Sequence, residues 1–252
     1  MKIDKNHPRF LALSVRERLV DGVKKGITSH AGLIAHGRGE AFDYLLGEKT
    51  HGFAKESITA AACYLLLAKN PILSINGNAA ALCAEEFVKI AKFLDCKIEV
   101  NLFHYTKTRE KCLEACLSNL DPSVILSSKG RKTRILPNVA SPRKIILRDG
   151  IGRSDTVFVP LEDGDRCGAL VSLGKKVITI DLNPLSRSSQ TATVTIVDNI
   201  TRAMPKLLSE LRRLQKFKPY QKKEIVRDFD NKTNLARSFA TIQKNLSRLA
   251  IP

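Results

Sequence analysis

Two short apolar runs in this chain each end in a carboxylate followed closely by an amide. Val177–Ile180 leads into Asp181-Leu182-Asn183-Pro184-Leu185-Ser186-Arg187, and seventeen residues after Asp181 the run Val194–Val197 leads into Asp198-Asn199. Four-residue, β-branched runs bounded by turn formers read as strands covered on both faces. In an open α/β sheet, ligands collect at the carboxyl ends of such strands. Carboxylates and amides there have the acceptors and donors to read ribose hydroxyls or the edges of a base. The spacing predicts a nucleotide site at these two turns.

Further residues could carry charge or phosphate chemistry. At 100° per residue, an N-terminal helix gathers Ala12, Leu13, Leu19, Val20 and Val23 on one sector, with Ser14, Glu17, Arg18, Asp21, Lys24 and Lys25 opposite. Arg16 falls inside the apolar sector, with Arg9 near it, so its guanidinium must find a carboxylate or a ligand anion. Next, glycines on both sides of Arg38 in His36-Gly37-Arg38-Gly39 would let a backbone approach phosphate at a following helix start. The string lacks a preceding strand and a third glycine, so it is not the dinucleotide fingerprint. Asn76-Gly77-Asn78, at a strand-to-helix turn, can hold an anion or carbonyl, or can simply cap a helix. Glu162-Asp163-Gly164-Asp165 can hold Mg²⁺ or act as an acidic turn. No Ser/His/Asp order, G-x-S-x-G or P-loop string occurs, and His36 is the one histidine inside a candidate motif.

The elements that must position these residues alternate. Strand-like runs at 71–75, 97–103, 123–126, 156–160, 177–180 and 194–197 are separated by helical stretches such as 79–94 and 108–120. Alternation of this kind predicts right-handed crossovers and a mainly parallel sheet of about six strands. The fold class expected is therefore α/β, Rossmann-like and doubly wound, with helices on both faces. An N-terminal helical segment (1–70) with helices at 9–25, 38–47 and 52–69 precedes the core (71–216). A helix near 199–216 closes that core, and a basic tail (217–252), helical or disordered, follows. The segment 127–149 has little periodicity and reads as a mobile loop.

Composition narrows the classes. The net charge of +17 comes almost entirely from residues 129–153 (+7) and 201–252 (+9), leaving the rest nearly neutral. A basic nucleic-acid-binding protein is the rival reading, but only 6% of residues are aromatic and they do not interleave with the charge, so stacking platforms are thin. Six scattered cysteines form no CxxC pair and no zinc spacing, so no metal site is expected and the thiols read as reduced. The most apolar stretch, 58–68, is too short to cross a bilayer, and no signal peptide is visible, which points to a cytoplasmic protein.

Several longer strings belong together: His7-Pro8-Arg9, Ala31 to Tyr44, Ser74 to Asn78, Val159 to Arg166 and Asp181 to Arg187. In this order over most of residues 6–200, they resemble the archaeal 4-phosphopantoate–β-alanine ligases, also called phosphopantothenate synthetases. The resemblance weakens at 127–149 and beyond about residue 217. It implies ATP-dependent joining of 4-phosphopantoate and β-alanine through an acyl adenylate, giving 4′-phosphopantothenate, AMP and diphosphate for coenzyme A biosynthesis. It also implies a homodimer. Mg²⁺ is expected to arrive on ATP rather than in a protein cage. Carried over by motif, the ATP contacts fall on Arg16, Arg38, Asp181, Leu182, Asn183, Arg187, Ser188, Asp198 and Asn199. Arg38 is the candidate for stabilising phosphate charge and His36 for acid/base work, while Asn76 and Asn78 are candidates for the phosphopantoate side.

Overall fold

A computed structural model describes residues 4–7 and 9–249. Residues 1–3, 8 and 250–252, which include Pro8 of the first string and the ends of the expected N-terminal segment and tail, lie outside the described residues. In chain order the elements are α1 (Phe10–Lys24), α2 (His30–Leu46), α3 (Gly52–Leu67), β1 (Pro71–Ile75), α4 (Gly77–Phe93), β2 (Lys97–Val100) and α5 (Lys107–Ser118). Then follow β3 (Thr133–Ile135), β4 (Ile145–Leu147), β5 (Thr156–Phe158), α6 (Gly164–Ser172), β6 (Lys176–Ile180), α7 (Arg187–Thr191), β7 (Val194–Ile196), α8 (Ile200–Leu214), α9 (Pro219–Asp228) and α10 (Asn231–Leu249).

Five strands form a parallel sheet in the order β2-β1-β5-β6-β7. Alternation along the strands feeds two cores. Leu73, Ile75, Phe158, Ile178, Ile180, Val194 and Ile196 pack with residues of α3, α4 and α8. Ile72, Val157, Val159 and Val177 turn the other way, onto Cys167 and Leu170 of α6 and onto Leu136 and Ile146 around the β3–β4 hairpin. Covering both faces is what makes these strands read as unbroken apolar runs rather than alternating ones. The sheet is thus Rossmann-like and doubly wound, as the pattern predicts. Its order reverses between β1 and β5, and such a reversal opens a crevice at the carboxyl ends of the strands.

Three expectations are corrected, and one left open is decided. The run 123–126 is not a sheet strand: Asp121 accepts from the Ser123 N–H, folding Pro122–Val124 into a 3-10 turn, and Ile125 makes a single parallel bridge to Ile98. The sheet therefore has five strands, with a separate hairpin. That hairpin is the second correction, because 127–149 is an ordered segment with Leu136, Val139, Ile146 and Leu147 buried. Glu99, buried on β2, pins its end by accepting from the Leu147 and Ile151 N–H groups at 2.9 and 2.7 Å.

The third correction concerns α2, which begins at His30 rather than near Arg38. Ser29 caps it by accepting from the Gly32 N–H, a contact generally worth about 1 kcal/mol. Tertiary contacts then carry the helix through three glycines that local propensity would spend on a loop. The basic tail, expected to be either helical or disordered, is helical and docked. Asn231 donates to the Ser189 and Ala192 carbonyls, Asn234 to Ser57 and Asn245 to the Leu45 carbonyl, while Leu235 and Ile242 are buried beside Leu46 and Phe53. All six cysteines are free. Burial pushes the Cys63 thiol up to about 11 and those of Cys83 and Cys96 to about 12.

Candidate functional site

The carboxyl ends of the strands open into a cavity of about 390 Å³, within the range of small-molecule sites. Every sheet strand contributes to its wall: Leu102–His104 after β2, Asn76–Asn78 after β1, Leu161–Asp163 after β5, Asp181 and Leu182 after β6, and Asp198–Ile200 after β7. Helix α2 closes one side with Gly32, His36, Arg38 and Gly39. Arg109 of α5 and Arg143, just before β4, complete it.

The turn after β1 is fixed by amides. Asn76 caps α4 by accepting from the Ala79 N–H at 3.0 Å, and its Nδ2 donates to the Pro160 and Leu161 carbonyls at 3.0 and 3.1 Å. Leu161 there has a positive φ of 54°, a left-handed conformation unusual for a leucine. The bond from Asn76 and its own N–H to the Ile180 carbonyl hold it in place. Asn78 accepts from the Thr28 hydroxyl and donates to the Gly32 carbonyl at 2.8 Å, clamping α2 to the start of α4. Gly32 is required at that contact, since a Cβ would lie 2.5 Å from Asn78 Oδ1.

At the other end, Asp181 accepts from the Asn183 N–H at 2.9 Å and from the Ser186 hydroxyl, and burial raises its carboxyl above the usual range. Asp198 is buried and accepts from Thr50 at 2.7 Å, from the Asn199 N–H and from Arg202 Nε at 2.9 Å. Arg202 also pairs with buried Asp43 of α2, and Asn199 Nδ2 reaches the same carboxylate at 3.1 Å. This web ties α2 to the end of β7.

Glu162 is only 1% exposed and bonded to Arg143 on one side and Arg166 on the other. Burial pushes its carboxyl up, but the Arg166 and Arg143 guanidiniums outweigh that and hold it below the ordinary range. Its oxygens serve arginines, and among the described residues no group of three or more His, Cys, Asp and Glu side chains is placed to hold a metal ion. Asp163 stands at the N-cap position of α6, bonds Arg143 at 2.9 Å and is raised by burial.

Of the residues singled out from sequence, His36, Arg38, Asn76, Asn78, Asp181, Leu182, Asp198 and Asn199 line the cavity. Asn183, Arg187 and Ser188 are not in its wall, although the Ser188 hydroxyl donates to the carbonyl of Glu162, which is. Arg16 is not in the wall. It is 44% exposed and forks onto Glu40 through Nε at 3.1 Å and Nη2 at 2.9 Å, so of its two anticipated partners the carboxylate is present. It flanks the inward stripe, which runs through Val15, Leu19 and Gly22. The Gly37-Arg38-Gly39 string lies inside α2 rather than at a helix start, and a Cβ at either glycine would meet open space. No close backbone approach is made there. Sequence reasoning passed over Arg109, Arg143 and Thr28. Arg109 stands four residues before buried Leu113 and eight before buried Leu117, the same stripe test that drew attention to Arg16.

Residues 53–245 match the sequence model of the phosphopantothenate/pantothenate synthetase family. A 4-phosphopantoate–β-alanine ligase of Thermococcus onnurineus is 46% identical over 250 residues, covering 99% of this chain and 95% of that protein. Ligases of the same name from Thermococcus kodakarensis and Methanosarcina mazei are each 44% identical, covering 99% and 98% of this chain and 95% and 97% of theirs. The chain belongs to this synthetase family. It is therefore an enzyme of the ligase class, from a family with archaeal members. The likeness to these ligases runs through the basic segment 127–149 and the tail, where the sequence strings alone had weakened. In this chain the first region carries Arg143 to the cavity and the second docks on α2, α3 and α7.

Proposed function

We propose that the enzyme joins 4-phosphopantoate to β-alanine at the expense of ATP, by way of an acyl adenylate. The observation that carries this reading is the cavity itself, where a switch-point crevice lined by Asp181, Asp198 and Asn199 meets Arg38 and two further arginines. Acceptors for a nucleoside and cations for phosphates line the same cavity.

In this scheme a carboxylate oxygen of the acid attacks the α-phosphorus of ATP and diphosphate leaves. The β-alanine nitrogen, after losing a proton, attacks the acyl carbon and AMP leaves. Both nucleophiles belong to substrates, so the protein supplies positioning and charge neutralisation. ATP is assigned to the turns after β6 and β7, with Asp181, Leu182, Asn183, Asp198 and Asn199 around its nucleoside and Arg38, Arg187 and Ser188 toward its phosphates. Arg38 is exposed to the cavity and has no hydrogen-bonding or ionic partner among the described residues, so it is free to follow charge on a transferring phosphate. Arg16 stays in the ATP set on the resemblance alone. Asn76 and Asn78 shape the acid side of the cavity through the backbone they hold. Mg²⁺ is assigned to ATP rather than to a protein cage, since Glu162 is neutralised by two arginines.

His36 is assigned the proton of the β-alanine ammonium. Burial lowers its pKa below the usual imidazole range, only partly offset by Glu40, so it stands neutral near pH 7 and can accept that proton. A homodimer is proposed as well. Leu11 of α1 and Ile34 of α2 are 78% and 69% exposed, as expected of apolar side chains awaiting a second copy. Sedimentation at micromolar protein tests it, and a monomer would refute it. The reaction is tested by following AMP and diphosphate with either organic substrate omitted in turn. Acid and ATP together must yield diphosphate, with AMP released on adding β-alanine. Diphosphate formation independent of the acid would defeat the scheme.

A further inference from the structure

Helix α2 carries three titratable side chains on one stripe. His36, Glu40 and Asp43 stand at i, i+4 and i+7 of a continuous helix, where side chains one turn apart have Cβ atoms about 5–6 Å from one another. His36 is in the cavity wall, while Glu40 and Asp43 are outside it. Each carboxylate is met by an arginine from another element. Asp43 is held by Arg202 of α8 and by the Asn199 amide. Glu40 accepts from Arg16 of α1, through Nε at 3.1 Å and Nη2 at 2.9 Å, and from the Tyr44 hydroxyl at 2.6 Å. Arg9 donates to the Tyr44 oxygen at 2.9 Å and completes the cluster. Elsewhere around α2, α4 meets it through Asn78 and α10 through Asn245, both neutral amides, and Asp198 pairs with Arg202.

Such a cluster ties α1 to α2, but its two charges also act unequally on His36. Burial pushes the Glu40 carboxyl up, yet the bonds from Arg16 and Tyr44 outweigh that and hold it below the ordinary range, so it is a fixed negative charge at neutral pH. Its side chain is 12% exposed, against 44% for Arg16. Water therefore screens the guanidinium more than the carboxylate, and the pair presents a net negative field to its neighbour. The balance at His36 agrees with this. Burial lowers its pKa, Glu40 opposes that most, Arg16 adds to the lowering by less, and Asp43 opposes it. Arg38 and Asp181 share the cavity with the imidazole.

In the amide-forming step of the scheme above, the β-alanine ammonium gives a proton to a His36 ring nitrogen. The freed electron pair attacks the acyl carbon, the acyl–oxygen bond breaks, and AMP departs with that bond's electrons. His36 is left as an imidazolium, which a fixed carboxylate one helical turn away favours. We infer that Glu40 is the positioning residue of this step: its carboxylate stabilises the imidazolium that His36 becomes, and Arg16, by holding that carboxylate, sets how strongly it acts. This inference rests on the ligase reading, which assigns the proton to His36.

The test titrates the histidine Cε1–H signals of the full chain by NMR in wild type, Glu40→Gln, Glu40→Asp and Arg16→Gln, with His36→Asn assigning the His36 signal. In Glu40→Gln, whose amide oxygen still accepts from Arg16, the His36 midpoint should fall by about half a pH unit or more, since one charge about 6 Å away is worth that much even at the dielectric of water. In Arg16→Gln it should rise. Glu40→Asp, which keeps the charge, should lie between wild type and Glu40→Gln. The acid limb of kcat/KM for β-alanine, at saturating ATP and 4-phosphopantoate, should follow the midpoint in each variant. A cluster that only braces α1 against α2 would lower Tm in the variants and leave the midpoint where it is, which refutes the inference. Displacements of like sign in Glu40→Gln and Arg16→Gln refute it too, as does a limb that stays put while the midpoint moves. If the wild type forms no AMP, the ligase scheme fails, yet the NMR titration, which needs no substrate, still decides the link between Glu40 and His36: opposite displacements support it, and an unmoved midpoint refutes it. Should Glu40→Gln fail to fold, Arg16→Gln is read alone: a raised midpoint supports the link, and an unchanged or lowered one refutes it.

Discussion

Replacing Glu162 by glutamine tests the charge arrangement beneath the site. Glu162 is 1% exposed, Arg166 0% and Arg143 8%, so the substitution leaves the buried Arg166 guanidinium without a carboxylate and Arg143 with Asp163 alone. Breaking a buried pair by removing one partner costs about 3–5 kcal/mol. For a chain of this size each kcal/mol lowers Tm by roughly 2–4 °C, so Tm should fall by about 6–20 °C at pH 7.5. The pH dependence has a definite sign. The folded-state pKa of Glu162 lies below the ordinary value, so its contribution is complete above the unfolded carboxylate's pKa of about 4.3. It is lost only as pH falls through the depressed value. Thermal melts of wild type and Glu162→Gln should therefore run parallel from pH 8 to 6 and converge only in acid. A difference under 3 °C at pH 7.5, or one that narrows between pH 8 and 6, refutes the reasoning.

Three further substitutions probe the proposed roles. Arg38→Ala should lower kcat/KM by about 10²-fold while leaving Tm nearly unchanged, since the side chain is exposed and unpaired. Turnover near the wild-type level would remove Arg38 from the mechanism. Because burial lowers the His36 pKa, the acid limb of kcat/KM for β-alanine should lie below pH 6.5 and disappear in His36→Asn; a limb that persists in the variant belongs to another group. Arg202→Met strips the shared cation from buried Asp43 and Asp198. With Arg202 25% exposed, the low end of the range applies, about 3 kcal/mol, or a Tm lower by roughly 6–12 °C on calorimetry. An unshifted melt would show that the web does not hold α2 to β7.

The sheet was legible because Val177–Ile180 and Val194–Val197 are apolar at nearly every position, which only a strand covered on both faces requires. Asp181 and Asp198 followed from that reading, since a strand end fixes where a side chain goes. Helix α2 was misplaced because its glycines weaken the local signal, while its true start depends on Ser29 and on Asn78, forty-nine residues further on. The hairpin was hidden for a related reason: its buried residues face a core assembled from β1, β5, β6 and α6, and no local period marks them. Arg143 went unseen because a basic stretch looks like solvated surface until its counter-charges are known. Glu162 and Asp163 lie about twenty residues away and meet it only when β5 joins the sheet. Arg16 was noticed for its position in the helix, but the resident partner is Glu40 of α2, a pairing the α1 sequence does not encode.

A structure of the enzyme with a non-hydrolysable ATP analogue and the acid tests the central claim most directly. The nucleoside should lie against the turns that follow β6 and β7, within hydrogen-bonding distance of Asp181 or Asp198–Asn199, with the α-phosphate toward the middle of the cavity. Density for the base beside Arg109 and Arg143, or outside the strand-end cavity altogether, would contradict the account.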